Sequence, residues 1–581
     1  MLKTLIHKLR PANRSPRPEE NRRIEQYINA YHTFLNGPEE ISLDCLENIH
    51  RGISSSLHGG AATDDIMVST LLYSALRLPG YLDRVSRVVI GPNEGVFRTG
   101  GYGNINSWET APAQARRRKA LFNGSDTLAV FTSSVSDIDD LMPALCAYQI
   151  EWNKMHKRLE GTALGQNLKS GLIKASAIGD KLKTTLGMSS ADHEMLAKVW
   201  GDRWDEKIAA IAAAPKNFRV KMLSSDHRES KREVQKWWSD LLEHFHDVGI
   251  EDRPLYLVSS NTHSLANLIS GFAYRYRHES VAHALKNDTE GLLRQWKRLR
   301  DEEEEAKLNF YYCAQRAFGE SDSKWSKIQH EMEEEAGLQR FIHDQLLDQE
   351  TQIIDLSRIQ SDCIDSRLDR SRLSILKRSR ALILNIDYPL GFSAYHIMSQ
   401  VAQEAKELRG VYIMGKSASM LGRVGDIMIP SEISDEHTKN QYIFKNCFSV
   451  RNLVGYLRDV AVFDDQRSVS VRGTFLHSWD SIKQFHKKDF TGIEMEAGPY
   501  LSALYEYIHG HSPPRESLVE IKPTPPFDIG ILHYSSDIPY NVRASLLSSR
   551  MGYVGLEATY TCTLAILQSI LDRETGILKA E

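Results

Sequence analysis

Cysteine is scarce in this chain, with six in 581 residues. Cys45, Cys146, Cys313, Cys363, Cys447 and Cys562 lie far apart and no C-x-x-C pair occurs. That excludes a zinc ribbon, a thioredoxin-like motif and a disulfide scaffold. An excess of one charge is missing too: 72 Lys and Arg stand against 76 Asp and Glu, a net charge of −4. No global basic field exists to hold a nucleic acid polymer. No apolar run reaches the roughly 18 residues of a membrane helix. The N-terminal MLKTLIHKLRPANRSPRPEENRR is basic, but its apolar stretch is too short and broken for a secretory signal. The expectation is a cytoplasmic protein with no membrane partner. What is present, 41% hydrophobic and 25% charged residues, suits a globular chain with ample core. At about 150 residues per domain, two to four domains are expected.

Residues 1–20 read as a mobile basic arm, because Pro11, Pro16 and Pro18 block regular helix. Residues 21–250 read as a helix-rich region with a few strands, among them SRVVIGPNEGV and LAVFTSS. SDIDD at 136–140 carries three aspartates at a strand end; exposed helix capping is favoured there over a metal site. From 251 onward strand and helix alternate, starting with LYLVSSNTHSLANLISGF. The charged stretch 289–372, with DEEEE and EMEEEAGLQRFIHDQLLDQ, reads as an insertion of long solvated helices. After Ser379 the strands ALILNI, GVYIMG, VGDIMIP, SVSVRGTFL and FDIGILHYSSD are expected between helices. The fold class is therefore α/β, with a C-terminal sheet flanked by helices and a helix-rich N-terminal α/β region.

Ligands of open α/β sheets sit beyond the carboxyl ends of strands, and four such ends carry unusual polar sequence. NIDYPLGFSAYH places Gly391 and Ser393 where a strand turns into a helix. MGKSASMLGRVGDIMIP places Gly415 at the end of a strand, with small residues after it. GIEMEAGPY sets Glu494 and Glu496 around Met495 at a helix start, where the macrodipole accounts for one carboxylate and a sugar diol could engage the other. LHYSSDIPY ends a strand with Ser535, Ser536 and Asp537. That aspartate serves either as an Asx-turn or as a proton donor beside a heterocycle.

The order of these elements, over about residues 381–575, resembles the purine nucleoside phosphorylase and nucleosidase superfamily. E-M-E-A and S-D are its most recognisable short motifs, and LYLVSSNTHSLANLISGF resembles its first strand–helix unit. The resemblance implies that Met495 and Glu496 contact the ribose and that Glu496 stabilises an oxocarbenium-like sugar. It implies that Asp537, positioned by Ser535 or Ser536, assists protonation of the purine. Phe475 or Trp479 would stack on the base. Ser260 and Asn261 would occupy the first loop. It also implies a homo-oligomer and needs no cofactor.

Two departures bear on the reaction. The first loop reads Ser259-Ser260-Asn261 in place of a glycine-rich type, and Ile413 stands where phosphorylases carry an arginine. Phosphate is a less fitting co-substrate than water, so hydrolysis of a nucleoside or nucleotide is favoured over phosphorolysis. No glutamate of that loop matches the water-activating residue of hydrolytic members. The alternative is a catalytically degenerate nucleotide-binding sensor or scaffold.

Overall fold

The computed structural model describes residues 19–224, 227–287, 292–319, 323–343, 350–522, 526–537 and 552–581. The expected basic arm lies outside the described residues up to position 18, and helix begins at Glu19. Two sheets organise the chain. The first holds Ile41–Ser42 (β1), Arg87–Gly91 (β2), Glu109–Thr110 (β3), Ala120–Phe122 (β4), Thr127–Phe131 (β5) and Arg219–Met222 (β6), in the order β1-β6-β2-β5-β4-β3. β6, β2 and β5 are parallel to one another. From β5 the chain enters a 25-residue helix, Val135–Leu159 (α1), whose Ser134 and Asp137 form a capping box.

The second sheet begins with Leu255–Ser260 (β7), followed by Leu338–Ile342 (β8), Glu350–Asp355 (β9), Leu382–Asp387 (β10), Leu408–Ser419 (β11) and Ile427–Asp435 (β12). Gln441–Ile443 (β13), Val462–Ser470 (β14), Gly492–Glu494 (β15), Leu518–Glu520 (β16) and Asp528–Asp537 (β17) complete it. β10, β7, β11 and β17 run parallel, side by side. β7 and β10 are buried at every position, as apolar parallel strands covered on both faces must be. Period-two alternation sorts their side chains: Tyr256 and Val258 join the core under the C-terminal helix Gly552–Ala580, while Leu255 and Leu257 join the core under the helices Ser393–Glu404 and Ala497–His509. β11, β17, β12, β14 and β15 pair in a closed ring, β15 returning to β11.

Three sequence expectations are corrected. The stretch read as charged helix contains β8 and β9, which extend the sheet, β9 antiparallel to β10 and β8 antiparallel to β9. Thr351 to Ile354 of β9 are buried, so four consecutive core positions outweigh the charge around them. The strand expected to end at Gly415 runs through it to Ser419. The strand expected at 468–476 spans Val462–Ser470, and the chain then leaves the sheet so that Phe475 and Leu476 can enter the N-terminal core.

Candidate functional site

β11 creates the opening. One edge of it pairs with β7 as far as Ile413 and then with β15 from Ala418. Between those points this edge has no ladder partner among the described residues. Gly415 sits in this interval, and a side chain there would meet no atom within 4 Å. On the other edge, β17 pairs throughout, so that Ile493 and Asp537 flank Ala418 from its two sides. The E-M-E and S-S-D segments, remote in sequence, thus meet across a single strand.

The two glutamates differ in what they hold. Glu494 is buried and accepts hydrogen bonds from the backbone N–H of Glu496 (2.6 Å) and Ala497 (2.8 Å) and from the Ser470 hydroxyl. Its oxygens are committed to starting the helix Ala497–His509, which is the macrodipole role. Among the described residues Glu496 accepts only two long bonds, from the N–H of Gly391 and of Met495, each 3.3 Å. It keeps acceptor capacity for a ligand. Burial raises the pKa of both carboxyls, and the charge of Glu496 adds to the rise at Glu494. At Glu496 the Gly391 N–H, Arg116 and His437 pull the other way.

This pair makes stability fall with pH. A carboxyl whose pKa is raised on folding binds its proton more tightly in the native state. Its contribution is complete below the ordinary glutamate value and is lost as pH rises through the native one. Denaturant titrations from pH 5 to 8 are expected to show a decline of up to about 1.4 kcal/mol per pH unit from each carboxyl of the pair. E496Q removes the neighbouring charge and should flatten that part of the slope; an unchanged slope would refute the assignment.

The remaining residues named from sequence fall in three groups. Gly391, Ser393, Ser260 and Asn261 lie at the strand ends. Gly391 has φ of +53°, and a Cβ there would lie 2.3 Å from the Ser136 Oγ, so glycine is required. The Ser393 hydroxyl is 2.5 Å from that of Ser133. Ser260 donates to Asn385 Oδ1 at 2.8 Å, and Asn261 Oδ1 accepts the N–H groups of His263 and Ser264. Ser535 and Ser536 are buried in β17; the backbone of Ser535 bonds to Gly425 and Asp426, and the Ser536 hydroxyl points to Ser417 O at 3.5 Å. Asp537 ends β17, and its side chain lies outside the described residues. Met495 is buried against Val469, Val471 and Phe490.

Phe475 is a correction. It is 2% exposed, edge-on to Tyr73 and tilted on His50, so its ring belongs to the N-terminal core rather than to a base. Trp479 opens the helix Trp479–Lys487 and sits beside Gly59. SDIDD caps a helix as expected, through Asp137, but the expectation that it is exposed is corrected. Its aspartates are buried: Asp137 pairs with Arg118, Asp140 with Arg116 and Arg118, and Asp139 with Arg472, Tyr31 and His32. Among the described residues no group of three or more His, Cys, Asp or Glu is placed to hold a metal ion.

Sequence reasoning missed the contribution of the first half of the chain. The first turn of α1 docks onto the strand ends. Ser136 Oγ accepts the Phe392 N–H at 2.8 Å and lies 3.1 Å from His437 Nε2, whose Nδ1 is 3.0 Å from Asp435. This Ser–His–Asp chain has hydrolase-like spacing, but Ser136 is 0% exposed, so it latches the two halves instead of presenting a nucleophile. Pro143 leaves the Asp139 carbonyl without its helical donor, and Gly473 packs directly onto that carbonyl. Arg117, from the loop before β4, pairs with the buried Asp387 at the end of β10.

Comparison with known proteins gives a family but no activity. The model of DUF6909, a family of unknown function, matches residues 43–572, and the chain belongs to that family. No curated protein matches it significantly. Similar solved structures include the 5′-methylthioadenosine/S-adenosylhomocysteine nucleosidase of Neisseria meningitidis in complex with methylthio-immucillin-A, at 10% identity, 55% of this chain, 99% of that chain and TM-score 0.30. The corresponding enzyme of S. pneumoniae has 9% identity over 55% of this chain and 99% of that one, TM-score 0.29. A putative one from Borrelia burgdorferi B31, bound to adenine, has 10% identity over 54% and 99%, TM-score 0.30. Likeness at these values leaves the function to be argued from the chain's own residues. Among the described residues no helix is long and apolar enough to cross a membrane.

Proposed function

We propose that this DUF6909 protein cleaves the N-glycosidic bond of a nucleoside or nucleotide by hydrolysis. The reading is supported by one observation: the β11 register sets Ile493, three residues before Glu496, and Asp537 on the two sides of Ala418, and Glu496 keeps spare acceptor capacity. In this mechanism Glu496 accepts hydrogen bonds from the ribose 2′- and 3′-hydroxyls and stabilises the positive charge that grows on the sugar as the C1′–N bond breaks. The bonding electron pair leaves with the base nitrogen. Asp537 assists protonation of the base, making it a better leaving group. Water adds to C1′ and releases its proton to solvent, giving a free base and a free sugar, or a sugar phosphate where the substrate is a nucleotide.

Water is favoured over phosphate because Ile413 stands where a phosphate-binding arginine would be expected and the loop after β7 is not glycine-rich. The end of β7 and the loop after it, Ser259 to Thr262, carry no carboxylate to activate water. That observation favours a second reading, binding without turnover. The test is chromatographic base release from a panel of purine and pyrimidine nucleosides and nucleotides, with and without phosphate. Phosphate-independent release is expected, and D537N is expected to lower it about a hundredfold, the scale of one general acid. Release unaffected by D537N would sink the assignment. Binding without any release would select the second reading.

A further inference from the structure

The first sheet has a cleft of its own, on the side where its parallel strands end. β2 and β6 are parallel neighbours, with Ile90 in register with Met222 and the Leu223 N–H donating to the Ile90 carbonyl at 2.9 Å. Their outgoing chains part. β2 feeds the helix Glu94–Thr99, whose Phe97 packs on the first sheet with Val89 and Ala129. β6 feeds the helix His227–His244, whose Val234, Trp237 and Leu241 pack in a core of the second sheet. Strand ends whose connections diverge leave a crevice, and that is where open α/β sheets take ligands. Here the crevice measures about 700 Å³. Small-molecule sites run from roughly 300 to 1,000 Å³.

Its lining is of two kinds. Leu35, Met222 and Leu223 make an apolar wall, and Asn93, Lys221 and Glu229 bring polar groups. Lys221 and Glu229 carry opposite charge, yet they do not pair with each other, and neither has another hydrogen-bond or ion-pair partner among the described residues. Glu229 Oε2 is buried and has no donor. One turn further along the same helix, Glu233 is 9% exposed. Its Oε1 accepts from the Asn93 amide at 2.6 Å, and Asn93 is itself fixed by the Val96 N–H at 3.0 Å. Glu233 Oε2 is buried without a donor as well. Residues four apart on a helix share a face, so two vacant carboxyl oxygens stand together beside a cleft that also holds an amine without an acceptor. Buried carboxyl oxygens are ordinarily hydrogen-bonded, and these two call for a donor that the described residues do not supply.

We propose that this cleft binds a free α-amino acid with an apolar side chain, its ammonium group donating to Glu229 and Glu233 and its carboxylate accepting from Lys221. An ammonium group has three N–H donors, so a single one serves both carboxyls through charge-assisted bonds. A ligand with an ammonium group alone leaves Lys221 unmatched, and one with a carboxylate alone leaves both glutamates so. The zwitterion matches both signs at once, and the apolar wall takes its side chain out of water. The cleft lies on the other sheet from Glu496, and the inference does not depend on the cleavage reading.

Isothermal titration calorimetry of the full chain with leucine, methionine, valine and phenylalanine is the test. At least one is expected to bind with a Kd below about 1 mM. The amine or the carboxylic acid with the same side chain, each lacking one charge, should bind at least tenfold more weakly. K221Q and E229Q should each weaken binding of the amino acid at least tenfold, since each deletes one charge-assisted partner. Circular dichroism checks that they fold, and the ligand series decides the matter without any variant. E496Q should bind the amino acid as the parent does. No binding of any of the four amino acids would overturn the proposal. So would an amine or acid that binds as tightly as its amino acid, or binding unchanged in folded K221Q or E229Q. Binding lost in E496Q would place the ligand at the β11 opening and overturn it too.

Discussion

Replacing Glu496 with glutamine is expected to lower kcat/KM for base release by about 10²–10³-fold, the cost of losing one preorganised stabiliser of transition-state charge. Glutamine keeps the shape and can still accept the Gly391 N–H through its carbonyl oxygen. It cannot supply the negative charge that an oxocarbenium-like sugar calls for, and the loss should fall mainly on kcat. Glu494 cannot take over. Its oxygens are held by Ser470 and by the N–H groups of Glu496 and Ala497 at the helix start. Steady-state kinetics on the best substrate of the panel reads the effect. A change below threefold would mean that the sugar does not sit at Glu496, and the placement of the whole reaction would fall with it.

The parts of this site that sequence could reveal are those whose signal is local. β7, β10 and β17 are runs of apolar residues that end in polar ones, and the break in pattern marks both the strand and its carboxyl end. E-M-E was readable as two carboxylates at a helix start. Which carboxylate caps the helix and which keeps acceptor capacity was not, because that depends on Ser470 and Gly391 arriving from other elements. Phe475 shows the opposite failure. An aromatic near the motif was read as a base-stacking residue, but the chain leaves β14 and delivers the ring to His50 and Tyr73.

What sequence could not supply is the role of the first half. Ser133 and Ser136 meet their partners across 260 and 301 residues, and Arg117 meets Asp387 across a similar span. Such contacts leave no periodicity. The aspartates of SDIDD carried only the local signal of a helix start, for which exposed capping is the ordinary account. They are buried because Arg116, Arg118 and Arg472 are brought to them by the fold. β8 and β9 were hidden for a related reason: two short strands between charged helices lack the length to show a period of two.

Arg118→Ala is expected to be the most destabilising single change near the site, costing about 3–5 kcal/mol, because it strands buried charge rather than removing a contact. Arg118 is nearly unexposed. Its Nε donates to Asp137 Oδ1 and its Nη2 to Asp140 Oδ2, each at 2.9 Å, and Nη2 also reaches the Asp137 carbonyl at 3.3 Å. Asp140 keeps Arg116 when Arg118 is lost, but among the described residues Asp137 keeps only N–H and hydroxyl donors from Ser133 and Ser134. The pH signature follows from Asp140, whose pKa the two arginines hold at about 2 against the desolvation that would raise it. A depressed carboxyl contributes stability above its unfolded pKa and loses it as pH falls through the native one. Losing Arg118 moves that native value up, so the variant should begin acid unfolding at a higher pH than the parent. The consequence for function comes from position. The turn held by Arg118 carries Ser133 and Ser136 against Ser393, Phe392 and His437, next to the Gly391 N–H that Glu496 accepts. Loosening it should lower base release in the fraction that remains folded. Denaturant midpoints between pH 3 and 8, with kinetics on the folded fraction, measure both. A cost below about 1 kcal/mol would show that the first turn of α1 is held by its own capping box and not by the arginine pair.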